Sequence, residues 1–166
     1  IGFCPGAEFG PAKRWPHYHY AELAKQLIDE GYQIVLFGSA KDHEAGNEIL
    51  ATLSTEQQAW CRNLAGETQL EQAVILIAAC KAVVSNDSGL MHVAAALDRP
   101  LVALYGPSSP DFTPPLSHKA RVIRLITGYH KVRKGDAAEG YHQSLIDITP
   151  QRVLEELNEL LLSEEG

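Results

Sequence analysis

Cysteine is scarce in this sequence: Cys4, Cys61 and Cys80 are the only three in 166 residues, and no two stand in a C-x-x-C spacing. An odd number so scattered argues against a disulfide framework and a zinc site, and fits a reducing compartment. Basic charge is short as well. Fourteen Lys and Arg against 21 Asp and Glu leave a formal net charge of −7, which disfavours non-specific nucleic-acid binding. No apolar run reaches the roughly 18 residues of a membrane-spanning helix, and no signal peptide is expected. Three motifs are also missing: the G-x-x-x-x-G-K-[ST] loop, the G-x-G-x-x-G turn and the G-x-S-x-G elbow. Their absence disfavours P-loop enzymes, dinucleotide dehydrogenases and hydrolases built on a nucleophile elbow. The chain starts on apolar Ile1-Gly2-Phe3-Cys4, as if already inside a strand, which is the expectation for a piece of a longer protein.

What the sequence does contain is clearest between Lys81 and Pro110, KAVVSNDSGLMHVAAALDRPLVALYGPSSP. Ala82, Val83 and Val84 form a short apolar run of the kind found in strands buried on both faces. The turn Ser85-Asn86-Asp87-Ser88-Gly89 follows, with Ser88 as N-cap of a helix over Leu90 to Leu97 that Asp98-Arg99-Pro100 stops. Leu101 to Leu104 make a second buried strand. Two apolar strands around so short a helix form a parallel βαβ unit. Such a unit puts Asp87-Ser88-Gly89 at the carboxyl end of the sheet and at a helix N-terminus, where unpaired N–H groups and the dipole favour an anion. His92 lies one turn further on and leans back over the same mouth. A plain helix cap with a surface histidine would use the same residues.

The rest of the chain repeats the alternation. Ile1 to Cys4 is a first strand, and Pro5 to Pro16 is a loop rich in glycine and proline. Tyr20, Leu23, Ala24, Leu27 and Ile28 mark one face of the next helix, which Gly31 ends. Ile34 to Phe37 is a strand closed by Gly38-Ser39, followed by a polar helix over Lys41 to Leu53. Cys61 to Leu64 reads as a short strand. The turn Ala65-Gly66-Glu67-Thr68 leads into a helix whose buried stripe is expected at Leu70, Ala73, Val74, Ile77 and Ala78. After the loop of Ser108-Ser109-Pro110 and Pro114-Pro115, Ala120 to Ile126 is a sixth strand. Residues 127–143 give no clear pattern. Thr149-Pro150 caps a last helix that buries Val153, Leu154, Leu157, Leu160 and Leu161. Six strands alternating with helices predict an α/β fold, a Rossmann-like, doubly wound, mostly parallel six-stranded sheet that binds ligands outside the carboxyl ends of its strands.

Lys13 sits on the first loop, at the same sheet edge as Asp87. A lysine there is a mobile point charge able to meet a phosphate, and its significance comes from converging with the Ser88 helix terminus. His17 and His19 evoke a metal site, but residues at i and i+2 do not share a helix face. Asp87, Ser88 and His92 are too crowded in sequence for a hydrolytic triad. Trp15 and Trp60 read as packing residues.

These residues carry a resemblance. Ser85-Asn86-Asp87-Ser88-Gly89-Leu90-Met91-His92, Ala94-Ala95-Ala96-Leu97, Pro100 and Tyr105-Gly106-Pro107-Ser108 are similar to the signature of family 9 glycosyltransferases. The spacing from Pro5-Gly6-Ala7 to Lys13-Arg14-Trp15-Pro16 and the tail Gly140-Tyr141-His142-Gln143-Ser144-Leu145 agree with it. The resemblance implies a GT-B enzyme that moves heptose from ADP-heptose to the inner core of lipopolysaccharide with inversion. Residues 1–166 would be its C-terminal, donor-binding domain. The acceptor-binding N-terminal domain and its catalytic carboxylate would lie outside this chain, leaving no catalytic residue here. By the same analogy Lys13 contacts the donor diphosphate, and Asp87, Ser88 and Gly89 hold phosphate and sugar with His92 nearby. Gly6, Ala7, Glu8, Gly66 and Thr68 fall on loops that line the nucleotide pocket. The resemblance further implies no cofactor and no metal, the lipopolysaccharide core as partner through the missing half, and a cytoplasmic location with peripheral contact at the inner membrane. Two departures stand out: Ala7-Glu8 replaces a frequent Thr-Thr, and Ala40 replaces a frequent glutamate. A non-enzymatic nucleotide-binding domain and a sugar-nucleotide epimerase of the same layout remain as alternatives.

Overall fold

In the computed structural model, residues 1–7, 10–107, 114–126 and 139–165 are described. Six strands form one sheet: β1 (Gly2–Cys4), β2 (Ile34–Leu36), β3 (Cys61–Asn63), β4 (Val83–Asn86), β5 (Leu101–Tyr105) and β6 (Ala120–Arg124). Their spatial order is β3-β2-β1-β4-β5-β6, and every neighbouring pair is parallel. The helices are α1 (His17–Asp29), α2 (His43–Thr52), α3 (Thr55–Gln58), α4 (Leu70–Ala78), α5 (Gly89–Ala96), α6 (Gln143–Ile146) and α7 (Pro150–Glu165).

Alternation along the strands divides the core into two layers. Phe3, Ile34, Leu36, Val84, Val102 and Leu104 face one side, where Leu23, Leu27, Ile49, Val153 and Leu157 cover them. Cys4, Phe37, Val83, Leu101, Ala103 and Tyr105 face the other, against Ala73, Ile77, Met91 and Ala94. This is why the inner strands β1, β4 and β5 are buried throughout: both of their faces are dry. The last helix behaves as its pattern predicts, with Val153, Leu154, Leu157, Leu160 and Leu161 all buried. A fully buried leucine contributes about 1.5–3 kcal/mol, so this stripe fastens the C-terminal segment to the sheet. Thr149 Oγ1 accepts a bond from the Arg152 N–H, 3.2 Å, the expected cap. Trp15 is a packing residue: it is buried, lies edge-on to Tyr20 at 4.8 Å, and donates its indole N–H to Ile148 O, 2.8 Å.

Three expectations differ in detail. The stripe of α4 is narrower than its sequence suggests, since only Ala73 and Ile77 are buried while Leu70 and Ala78 are exposed. The polar helix expected from Lys41 begins as a 3₁₀ turn at Ala40–Asp42 that runs into α2. β6 stops at Arg124 rather than Ile126, because β5 offers no partner beyond Tyr105, which pairs with Arg124. The loop at Ser108-Ser109-Pro110 and residues 127–138 lie outside the described residues.

Candidate donor-binding site

From β1 the chain steps outward to β2 and β3, then returns to place β4 on the other side of β1. The loops that leave β1 and β4 therefore diverge, and open sheets of this kind hold their ligands in the crevice between such loops. Register sets the two strand ends level, with Phe3 beside Val84 and Cys4 beside Ser85.

One buried amide ties the two loops together. Asn86, the last residue of β4, donates to Pro5 O (2.7 Å) and Gly6 O (3.2 Å) on the β1 loop. Its Oδ1 accepts from the Trp15 N–H (2.9 Å) and the Tyr20 hydroxyl (2.7 Å). Burial holds that hydroxyl's pKa well above its ordinary value, so it remains a donor. Beyond Asn86 the chain turns into α5. Ser88 caps that helix, its Oγ accepting from the Met91 N–H at 3.4 Å and lying 3.2 Å from Ser85 Oγ. The remaining N–H groups of the first turn lack intrahelical acceptors, and the turn itself, Ser88 to Leu90, lines the crevice. Gly89 faces open space: a Cβ built there meets nothing within 4 Å.

The crevice is a cavity of about 420 Å³. Cys4, Gly6 and Ala7 form its side on the β1 loop, and Ser88 and Gly89 the helix-terminal side. Gly38, Ser39, Lys41 and Asp42 come from the loop after β2. Phe37, Leu70, Leu90 and Val93 make an apolar wall. One end is thus fitted for an anion and the other for a flat apolar group. Cys4 is no nucleophile, since burial raises its pKa to about 12 and keeps the thiol protonated.

Four of the ten residues named from sequence line this cavity: Gly6, Ala7, Ser88 and Gly89. Lys13 ends a 3₁₀ turn, Pro11–Lys13, on the same loop but outside the lining. Asp87 lies in the turn before Ser88, and His92 is half-buried on α5, both outside the lining. Gly66 (φ 78°) packs against Ala40, where a Cβ would come within 2.8 Å of the Ala40 Cα, and Thr68 follows on the turn leading to α4. Glu8 lies outside the described residues. Sequence reasoning passed over Lys41, Asp42 and Leu70. The spacing Ser39-x-x-Asp42 directly after an apolar strand, a capping-box signature, would have marked the first two. Leu70 fits the helical period of a core residue, yet it is exposed and stands at the cavity rim.

A helix terminus beside an apolar wall, at the switch point of a parallel sheet, is the place where open α/β sheets hold their ligands. The chain belongs to glycosyltransferase family 9 (heptosyltransferase), which it matches over residues 1–142. It is 94% identical over all 166 residues to lipopolysaccharide heptosyltransferase 2 of Escherichia coli, covering 48% of that protein. It therefore spans about half the length of the curated relatives it matches. Among solved structures it is similar to E. coli ADP-heptose LPS heptosyltransferase II, with a TM-score of 0.92 and 88% identity, covering 99% of this chain and 47% of that one. It is also similar to E. coli heptosyltransferase WaaC with ADP, with a TM-score of 0.73 and 28% identity, covering 96% of this chain and 43% of that one.

Proposed function

We propose that residues 1–166 are the donor-binding domain of an inverting heptosyltransferase that moves heptose from ADP-heptose to the inner core of lipopolysaccharide. The observation that carries this reading is the cavity at the β1–β4 crevice, with a helix N-terminus at one end and an apolar wall at the other. Family membership and the similar structure that contains ADP support it over an epimerase or a passive binding module.

In the reaction an acceptor hydroxyl attacks the anomeric carbon of the heptose from the face opposite the diphosphate. The new C–O bond forms as the bond to the diphosphate oxygen breaks, and ADP leaves. Negative charge grows on that oxygen, and the residues of this chain serve to stabilise it. Ser88, Gly89 and the α5 terminus take the phosphates, with Asp87 and His92 toward the sugar. Lys13, on a long flexible stem, swings to the diphosphate. Gly6, Ala7, Glu8, Gly66 and Thr68 frame the nucleotide. These cationic and helix-terminal groups do the work without a cofactor or metal. The base that removes the hydroxyl proton, and the lipopolysaccharide surface, belong to the acceptor-binding domain outside these residues. Among the described residues no helix is long and apolar enough to cross a membrane. The enzyme works in the cytoplasm, touching the inner face of the membrane to reach its acceptor.

Titration calorimetry with ADP tests this reading. The chain binds ADP, and Lys13→Ala weakens binding by about ten- to a hundredfold, the range for a bond to a charged group. Equal affinities would make Lys13 a mere surface charge.

A further inference from the structure

Asp42 is, among the described residues, the only charged side chain that is buried. Its local role is plain: Oδ2 accepts from the Ser39 N–H (2.9 Å) and the Ser39 hydroxyl (3.0 Å), closing a capping box. A capping aspartate ordinarily does this at the surface, where its other oxygen is solvated. Here Oδ1 is buried, accepts no hydrogen bond from the described residues, and faces the Arg14 guanidinium at 3.5 Å. The carboxylate also occupies a pit between two glycines. A Cβ on Gly38 would stand 2.7 Å from the Asp42 Cβ, and one on Gly6 would overlap the carboxyl group itself. So one side chain touches the β1 loop at Gly6 and Arg14, and the β2 loop at Gly38 and Ser39. Both loops line the cavity, and Asp42 lines it too. Arg14 follows Lys13 directly and backs onto a second hollow beside His17 and Tyr141.

A buried carboxylate with one oxygen only ion-paired is costly for a cap that an exposed Asp could make. We propose that Asp42 is a positioning residue, a clasp that holds the β1 and β2 loops at the spacing the donor cavity needs. This rests on the reading of that cavity as a donor pocket. Asp42 touches no reacting atom; it sets where Gly6, Ser39 and the Lys13-bearing turn stand.

The test compares Asp42→Asn, Arg14→Met and the double variant with the wild-type chain. Asp42→Asn keeps the shape and can keep the Ser39 bonds, but turns an NH₂ on Arg14. ADP titrated well below each variant's unfolding temperature should bind about tenfold more weakly to either single variant, and the double variant no more than slightly weaker still, the non-additivity of one shared contact. Affinities within twofold of wild type, with only the thermal midpoint lowered, would reduce the clasp to a fold-stabilising pair and overturn the proposal. Fully multiplicative losses would overturn it as well. If Asp42→Asn does not fold, Arg14→Met decides alone, because it leaves the Ser39 cap intact. If the wild-type chain does not bind ADP, the donor reading fails separately. Amide exchange then judges the clasp: faster exchange at Gly6–Ala7 and Gly38–Ser39 in the variant supports it, and unchanged rates refute it.

Discussion

A side-chain amide has two donor hydrogens and two acceptor directions, and Asn86 uses all four on groups it cannot exchange for water. Replacing it by aspartate changes the shape hardly at all, yet it aims an oxygen at two carbonyl oxygens in a fully buried place. We expect Asn86→Asp to cost about 3 kcal/mol or more of unfolding free energy, the range for a buried charge left facing the wrong partners. Urea unfolding measures it, and a loss under about 1 kcal/mol would show that the amide does not hold the β1 loop. His19 gives a residue-scale pH effect. Burial lowers its pKa below the ordinary 6.5, although Nε2 lies 2.8 Å from the accepting Ile146 carbonyl. The unfolded chain therefore binds more protons than the folded one in the window below 6.5, so His19 makes stability fall as the pH drops through it. His19→Gln should flatten that part of the pH–stability curve between pH 7 and 5. An unchanged slope would place the dependence on other groups.

At the scale of elements, α5 joins fold to site, because its first turn is both a helix start and the mouth of the cavity. Gly89 lies in that turn with a conformation open to any residue and with empty space where a Cβ would stand. Alanine there meets no protein atom and favours the helix by roughly 0.5–1 kcal/mol. On the proposed reading it also puts a methyl group where a phosphate would approach the N–H groups. Gly89→Ala should keep or raise the thermal midpoint while lowering ADP affinity by about tenfold or more, a split that plain destabilisation cannot produce. Undiminished affinity would move the phosphate away from this helix. The central strands are legible because burial on both faces leaves apolar runs, and α7 because its leucines keep one period for the length of the helix. The helix α4 was overread: Leu70 satisfies the same period as Ala73 and Ile77, and only the cavity distinguishes rim from core. The site was legible where ligand-facing groups are local, as in Ser88-Gly89. It was not where they depend on distant approach, as Asp42 does on Gly6 and Arg14. The short helix α3 escaped notice although Ser54 and Gln57 form its capping box.

On the scale of the whole molecule, one sheet with two packed faces makes residues 1–166 a self-contained body, while the proposed chemistry needs an acceptor surface as well. The layers of apolar side chains on either side of the sheet close around β1 and β4 with no unburied strand face at the crevice. The chain should therefore fold and bind donor nucleotide by itself. Transfer is another matter. On the proposed reading, the groups of the cavity serve the donor: helix N–H groups and a nearby lysine take the leaving diphosphate, and the apolar wall seats the base. None is placed as a base for an incoming hydroxyl, since Asp42 is held by Ser39 and Arg14, and Cys4 stays protonated. Holding both reactants in line contributes about 7–11 kcal/mol to such a reaction, and a single half-site supplies only the donor's share. We expect the 166-residue chain to bind ADP-heptose and to transfer no heptose to a truncated lipopolysaccharide core. The full-length enzyme should turn over under the same conditions, as followed by ADP release and by the mass of the acceptor. Turnover by the chain alone at the full-length rate would put the base among these residues, with Asp87 the first to examine by substitution to asparagine.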